Sequence, residues 1–229
     1  MKLNIKTTYV IIFTSLLIAI EATGQDLKTS LVQMRKVYQQ MSDLHIMMEV
    51  QAFPSRESKE DVYNLQVDIK KKGDNYLYHY GGNAMLMNDR YLIMIDVAAK
   101  EMVCSRRTDH AEDMMKGAFQ FNLDSILSFY DEPEFISKDG KIEHFKINQN
   151  KGPVSELYLS IDSGTKLLTE MAYQYRQGAY VRIDFKLFDG QAKLSQALFN
   201  ELNYISLNNG EMTPSDPYKS YHLVENTSN

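Results

Sequence analysis

The sequence contains no tryptophan, one cysteine and only five prolines among 229 residues. With Cys104 alone, no internal disulfide can form, so the fold must be held by burial rather than by covalent staples. Cys104 lies in a strand-like stretch, where a small buried apolar side chain is the expected role and a nucleophile the sharper alternative. The lack of tryptophan removes the indole platform on which a sugar could stack. The histidines, His45, His79, His110, His144 and His222, are scattered, with no two at metal-ligand spacing on one element, so no metal is expected. There is no phosphate loop, no dinucleotide fingerprint and no nucleophile elbow, so no catalytic residue and no cofactor is expected. The formal net charge is −5, and the basic residues are dispersed. The short run Lys70, Lys71, Lys72 reads as a solvated turn before Gly73, which argues against a nucleic-acid partner.

The N-terminus has the layout of an export signal. Lys2 and Lys6 precede an apolar run over 9–20, and small residues stand at Ala22 and Gly24, which predicts a leader over 1–24 cleaved near Gly24-Gln25. The apolar run is short for a membrane span. No cysteine follows the cleavage point to accept a lipid anchor, so the remaining 25–229 is expected to act as one soluble domain, periplasmic or secreted.

What the sequence has in quantity is alternation. From residue 27, Leu27, Leu31, Met34, Val37, Tyr38 and Met41 recur at three- and four-residue spacing, which predicts an amphipathic helix with Asp26 as its cap. The period then changes to two. Ile46, Met48, Val50 and Ala52 mark a first strand, and Tyr63, Leu65, Val67 and Ile69 a second over 61–71. Strands over 75–80, 84–87, 90–96 and 102–106 follow, with Asn88-Asp89 suited to a tight hairpin turn of positive φ. Helical spacing returns over 109–127, predicting one or two short inserted helices. Long strands over 134–138, 141–147, 154–161, 167–175 and 179–187 then run as an antiparallel meander, with a last strand at 221–224.

The apolar faces of these strands are rich in tyrosine and methionine. Of 13 methionines, Met47, Met48, Met85, Met87, Met94 and Met102 fall in predicted strands. Methionine adapts to irregular shapes, so such a face suits either a plastic cavity or a plastic core.

The order of elements resembles the periplasmic lipoprotein carriers, the LolA-like family. In that family a glycine-rich or basic turn precedes an aromatic strand, a short strand, a turn and a strand ending in an acidic residue. The matching positions here are 72–74, 76–78, 84–87, Asn88 with Asp89, and 91–96. The family's later strands resemble 157–162, 166–175 and 181–185. Where those carriers have Arg-Pro, Lys72-Gly73 stands, and Leu92 stands nearest to their tryptophan, so the arginine's latching role passes to no residue.

The resemblance implies an α+β fold: a strongly curved antiparallel sheet forming an incomplete β-barrel, with the N-terminal helix and the inserted helices over its concave face. It also implies an apolar cavity for the acyl chains of lipoproteins or other lipidated cargo, with membrane-bound proteins that load and receive it. On the alternation, the lining comprises Met48, Val50, Leu65, Val67, Tyr76, Tyr78, Met85, Met87, Ile93 and Ile95, and the helix forms a lid through Leu27, Leu31 and Met34. A one-residue slip of register would exchange each lining residue for its neighbour. The other reading is a non-catalytic envelope scaffold that keeps the fold with the cavity filled.

Overall fold

The computed structural model describes residues 27–107, 133–208 and 211–226. The predicted leader, the Asp26 cap and the predicted inserted helices lie outside them. The helix, α1 (Leu27–Gln39), leads into β1 (Asp43–Phe53), β2 (Tyr63–Lys72), β3 (Asn75–Tyr80), β4 (Asn83–Met87), β5 (Tyr91–Asp96) and β6 (Glu101–Arg106). After the undescribed stretch come β7 (Glu134–Asp139), β8 (Ile142–Asn148), β9 (Val154–Asp162), β10 (Leu167–Tyr175) and β11 (Tyr180–Asp189). The C-terminal part holds β12 (Ile205–Asn208), β13 (Glu211–Pro214) and β14 (His222–Asn226), with short 3-10 turns at Gln196–Phe199, Glu201–Asn203 and Asp216–Tyr218.

Among the described residues, twelve strands make one large curved sheet in the order β14-β6-β5-β4-β3-β2-β1-β11-β10-β9-β8-β7. Its pairs are antiparallel except that β14 runs parallel to β6. The outer strands β7 and β14 do not pair with each other, so the sheet stays unclosed.

Residues directly opposite one another on neighbouring strands share a face, which fixes what each side of this sheet presents. One side runs through Ile46, Met48 and Val50 of β1 and Ile183 and Phe185 of β11 to Met171, Leu159 and Phe145. Here α1 lies, with Leu27, Leu31 and Met34 at 2%, 1% and 0% exposure, against Phe145, Ile147, Leu157, Leu159, Leu168 and Met171. The helix is long enough to form because its single apolar stripe finds this surface.

A β-bulge keeps that side apolar. The register of β1 on β11 shifts between Met47 and Met48, so Ile46 faces Phe188 and Met48 faces Phe185. The extra residue puts both phenylalanines on the helix side, where Tyr38 stacks on Phe188 at 5.2 Å between ring centroids. Lys186 is left on the reverse side, paired to Glu49 and Asp184.

That reverse side is polar over most of its width. His45 and Lys70 both meet Asp68, Asn64 bonds Glu49, Lys146 pairs with Glu156, and Arg182 with Asp184. Over β3–β6 it turns broadly apolar, at Leu77, Ala84, Leu86, Ile93, Ile95, Met102 and Cys104. The C-terminal segment covers this patch with Leu194, Phe199, Tyr204 and Ile205. The sequence pattern marked a few apolar residues there without predicting the turns or the β12–β13 hairpin.

Two turns differ from expectation. The lysine run is strand rather than turn, because β2 stays paired to β1 as far as Asp43–Lys72. Asn88 and Asp89 do not adopt positive φ. Instead the Asn88 carboxamide oxygen accepts from the amides of Arg90 and Tyr91, both at 2.9 Å, closing the turn through a side chain. The β3–β4 turn does use positive φ, at Gly81 (54°) and Gly82 (88°). A Cβ on Gly81 would come 2.8 Å from Leu65 Cδ1.

Phe199→Ala should cost roughly 3–5 kcal/mol by leaving a void between segment and sheet; a chemical-denaturation curve that hardly moves would contradict this placement. Alkali should also act here. Burial, helped by the neighbouring Tyr218, pushes Tyr204 up from 10.0 to about 12. Between about pH 10 and 12 the unfolded chain therefore loses a proton that the folded chain keeps, so stability falls as pH rises through that window. Urea midpoints that decline above about pH 10 after a flat stretch below it are the expected result.

Candidate functional site

Sequence reasoning proposed ten lining residues, and the pairing pattern places eight of them together. Met48 is opposite Val67, Val50 opposite Leu65, Tyr76 opposite Met87 and Tyr78 opposite Met85, and Tyr78 is in turn opposite Ile69. These eight occupy the face that carries α1, across four adjacent strands. Tyr76 and Met87 form a buried group there with Leu92, with Tyr78 and Met85 packed against it. Met94, opposite Met85, extends the same face and is exposed.

Ile93 and Ile95 are on the other face. Ile93 pairs with Leu86 and Ile95 with Ala84, and both are sealed beneath the C-terminal segment at 0% and 3% exposure. They leave the candidate lining. The error was one of parity: in β5 both faces are apolar, so alternation alone could not say which side faces α1. Leu92 was the residue missed, and its only sequence signal was its register with Met87.

The lid residues Leu27, Leu31 and Met34 cover β8–β10, in the neighbouring half of the face rather than over the eight clustered residues. Within the lysine run, Lys70 and Lys72 face the polar side and pair with Asp68 and Asp43. Lys71 faces the apolar side, opposite Tyr76, with its ammonium 5.9 Å from that ring's centroid and no carboxylate partner among the described residues. Burial raises the Tyr78 phenol above its ordinary range, with Tyr76 adding to the effect. The face is therefore aromatic, thioether-rich and bordered by one cation.

One histidine–serine contact invites a catalytic reading. His144 Nδ1 lies 2.9 Å from the buried Ser160 hydroxyl, and Glu170 stands opposite Ser160 on the next strand. Burial, and then the charge of Asp184, raise the Glu170 carboxyl. The order is wrong for nucleophilic activation, since the carboxylate adjoins the serine, and Ser137 rather than an acid stands opposite His144 on its far side. No cluster of three or more metal-binding side chains occurs among the described residues. Cys104 is 1% exposed, with its thiol 3.6 Å from Met212 Sδ. Burial, then the charges of Glu225 and Glu201, push that thiol up to about 11. It is a core side chain kept protonated at neutral pH.

Two of the cavities lined by described residues stand out. One, of about 700 Å³, lies on the polar side beside Gln51, Phe53, Arg56, Tyr180 and Arg182. Its polar groups bond one another: Arg182 donates to Gln51 at 2.6 Å, and Gln51 to Asp61 at 2.9 Å. The other, of about 300 Å³, lies between the β4–β5 turn and the C-terminal segment.

The architecture defined by these elements is a large unclosed, mainly antiparallel sheet with a helix buried on one face. No family model matches the sequence, and no curated protein does. Comparison with solved structures does find similar chains. An uncharacterized conserved protein from Thermus thermophilus superposes with a TM-score of 0.50 at 10% identity, covering 87% of this chain and 99% of that one. LolA superfamily proteins are among the structural neighbours, with one from Nitrosomonas europaea at a TM-score of 0.34, 9% identity and coverages of 77% and 98%. The lipoprotein LppX from Mycobacterium tuberculosis gives 0.42, 9% identity and coverages of 73% and 97%. No described helix is long and apolar enough to cross a membrane.

The burial of Cys104 predicts that a thiol reagent labels native protein at neutral pH only as fast as the fold opens, and unfolded protein at once. Immediate stoichiometric labelling of native protein would refute the core role.

Proposed function

We propose that the chain is a non-catalytic carrier that holds the acyl chains of lipoproteins or other lipidated molecules against the helix-bearing face of its sheet, working in the periplasm or outside the cell. The observation that carries this reading is the shared face of Met48, Val50, Leu65, Val67, Tyr76, Tyr78, Met85 and Met87, a contiguous apolar patch on β1–β4 that is half-buried around the buried Tyr76 and Met87. An acyl chain crosses water at a cost of about 0.8 kcal/mol per exposed methylene, so a carrier must offer a surface that hides it. Methionine and tyrosine suit cargo whose chains vary in length and branching, because thioethers repack with little strain. The α1 helix, through Leu27, Leu31 and Met34, walls the adjoining half of the face. Lys71 at the border fits an anionic head group. Membrane-bound proteins would then load and receive the cargo.

The near-complete burial of Leu27, Leu31 and Met34 on α1 supports the second reading, an envelope scaffold with its face filled by its own side chains. Titration with a fluorescent fatty acid separates the two. A carrier shows saturable uptake, weakened at least about tenfold by Met85→Glu, since a carboxylate on the face must lose its water. Gln66→Glu, on the polar side, should leave uptake unchanged. No uptake by the unaltered protein would remove the carrier reading, and equal uptake by Met85→Glu would move the site off this face.

A further inference from the structure

Of the charged side chains in β1 and β2, Lys71 alone has no ion pair among the described residues. Asp43 pairs with Lys72, His45 and Lys70 meet Asp68, and Glu49 pairs with Lys186, all on the polar side. Lys71 stands on the apolar side, opposite Leu44 and Tyr76. Its ammonium rests 5.9 Å from the centre of the Tyr76 ring. Packing on the ring accommodates the stem and steadies the cation, but it supplies no counter-charge.

The face that Lys71 borders also has a direction. Lys71 and Tyr76 lie at its end beside the β2–β3 turn, and the rows Ile69–Tyr78–Met85 and Val67–Tyr80 lead away to the β3–β4 turn. Between the two ends, β2, β3 and β4 place no charged side chain on this face. Tyr80 is four residues along β3 from Tyr76, about 13 Å at the rise of an extended strand. At that far end Tyr80 and Tyr63 are exposed. The surface therefore has a cation at one end, a purely apolar run, and open aromatic rings at the other.

Building on the acyl-chain reading above, we infer that the cargo is a fatty acid or another acyl chain ending in an anion, with its head on Lys71 and its tail along β2–β4 towards Tyr80. An ammonium at an apolar border gains most from a carboxylate or phosphate, which accepts charge-assisted hydrogen bonds and supplies the missing charge. The acylated terminus of a lipoprotein offers no such anion, so this narrows the cargo to the other lipidated molecules. A cationic head group would meet Lys71 as a like charge.

Displacement of the neutral dye Nile red tests the head group, with dodecanoate and dodecyl phosphate set against dodecanol. At least one anion should bind at least about tenfold more tightly than the alcohol, and the tighter of the two tells a carboxylate head from a phosphate. Lys71→Met should lower the anions to the affinity of the alcohol and leave the alcohol unchanged, with Lys71→Gln in its place should that variant not fold. Lys71→Arg, and Lys70→Met on the polar side, should keep the preference. Because the chain has no tryptophan, Tyr80→Trp gives a single reporter of orientation. Dodecanoate brominated at its last carbon should quench that indole more than dodecanoate brominated beside the carboxylate. Equal affinity for alcohol and anions, or a preference that survives Lys71→Met, would overturn the head-group assignment and leave the acyl-chain reading standing. Displacement by none of the three would remove both, and the reverse order of quenching would overturn the orientation.

Discussion

Opposed residues on neighbouring strands must point to the same side, and in a sheet of twelve described strands this one constraint decides almost everything else. It carries a single apolar face from Met94 in β5 to Phe145 in β8 and puts most charges of β1, β2 and β9–β11 on the reverse side, while Lys71 and the buried Glu143 stay on the apolar one. The bulge at Met47–Met48 is where the constraint is locally relaxed. Without it, β11 beyond Phe185 would swap faces, and Phe188 would sit among Lys186, Asp184 and Glu49 instead of against Tyr38.

The same constraint explains why a C-terminal cover is needed. In β3–β6 alternation gives way to apolar residues on both sides, so the reverse face cannot be left wet. The segment from Leu194 to Ile205 meets that need, and polar groups hold it in register. Lys72 donates to the Leu194 carbonyl at 2.7 Å, and Asn88, while closing its own turn, reaches Phe199 and Glu201. The residue that shapes a hairpin thus also anchors a segment more than a hundred positions away.

Much of the sheet was legible because a half-wet strand advertises itself. Asn75–Tyr80 and Leu167–Tyr175 fall where alternation predicted them, and α1 ends two residues short of the predicted Met41. Legibility failed wherever the signal became symmetric. Ile93 and Ile95 were assigned to the wrong side because Leu92 and Met94 are equally apolar, and parity there depends on pairing with β4. The C-terminal turns were missed since 3-10 turns have no long period to read. Lys70–Lys72 looked like a solvated turn because three like charges hide an alternation in which Lys70 and Lys72 are paired outward and Lys71 lies inward.

The functional account depends on whether the tyrosine–methionine face is occupied by cargo. Methionine alone does not decide it, because the property that lets a thioether accept foreign chains also lets it fill a core. Native mass spectrometry on protein purified from its own cells without detergent addresses this directly. The account predicts a population whose mass exceeds that of the bare chain by an acyl-bearing species, released by organic extraction. A spectrum containing the bare chain alone, unchanged after incubation with lipid, would contradict it.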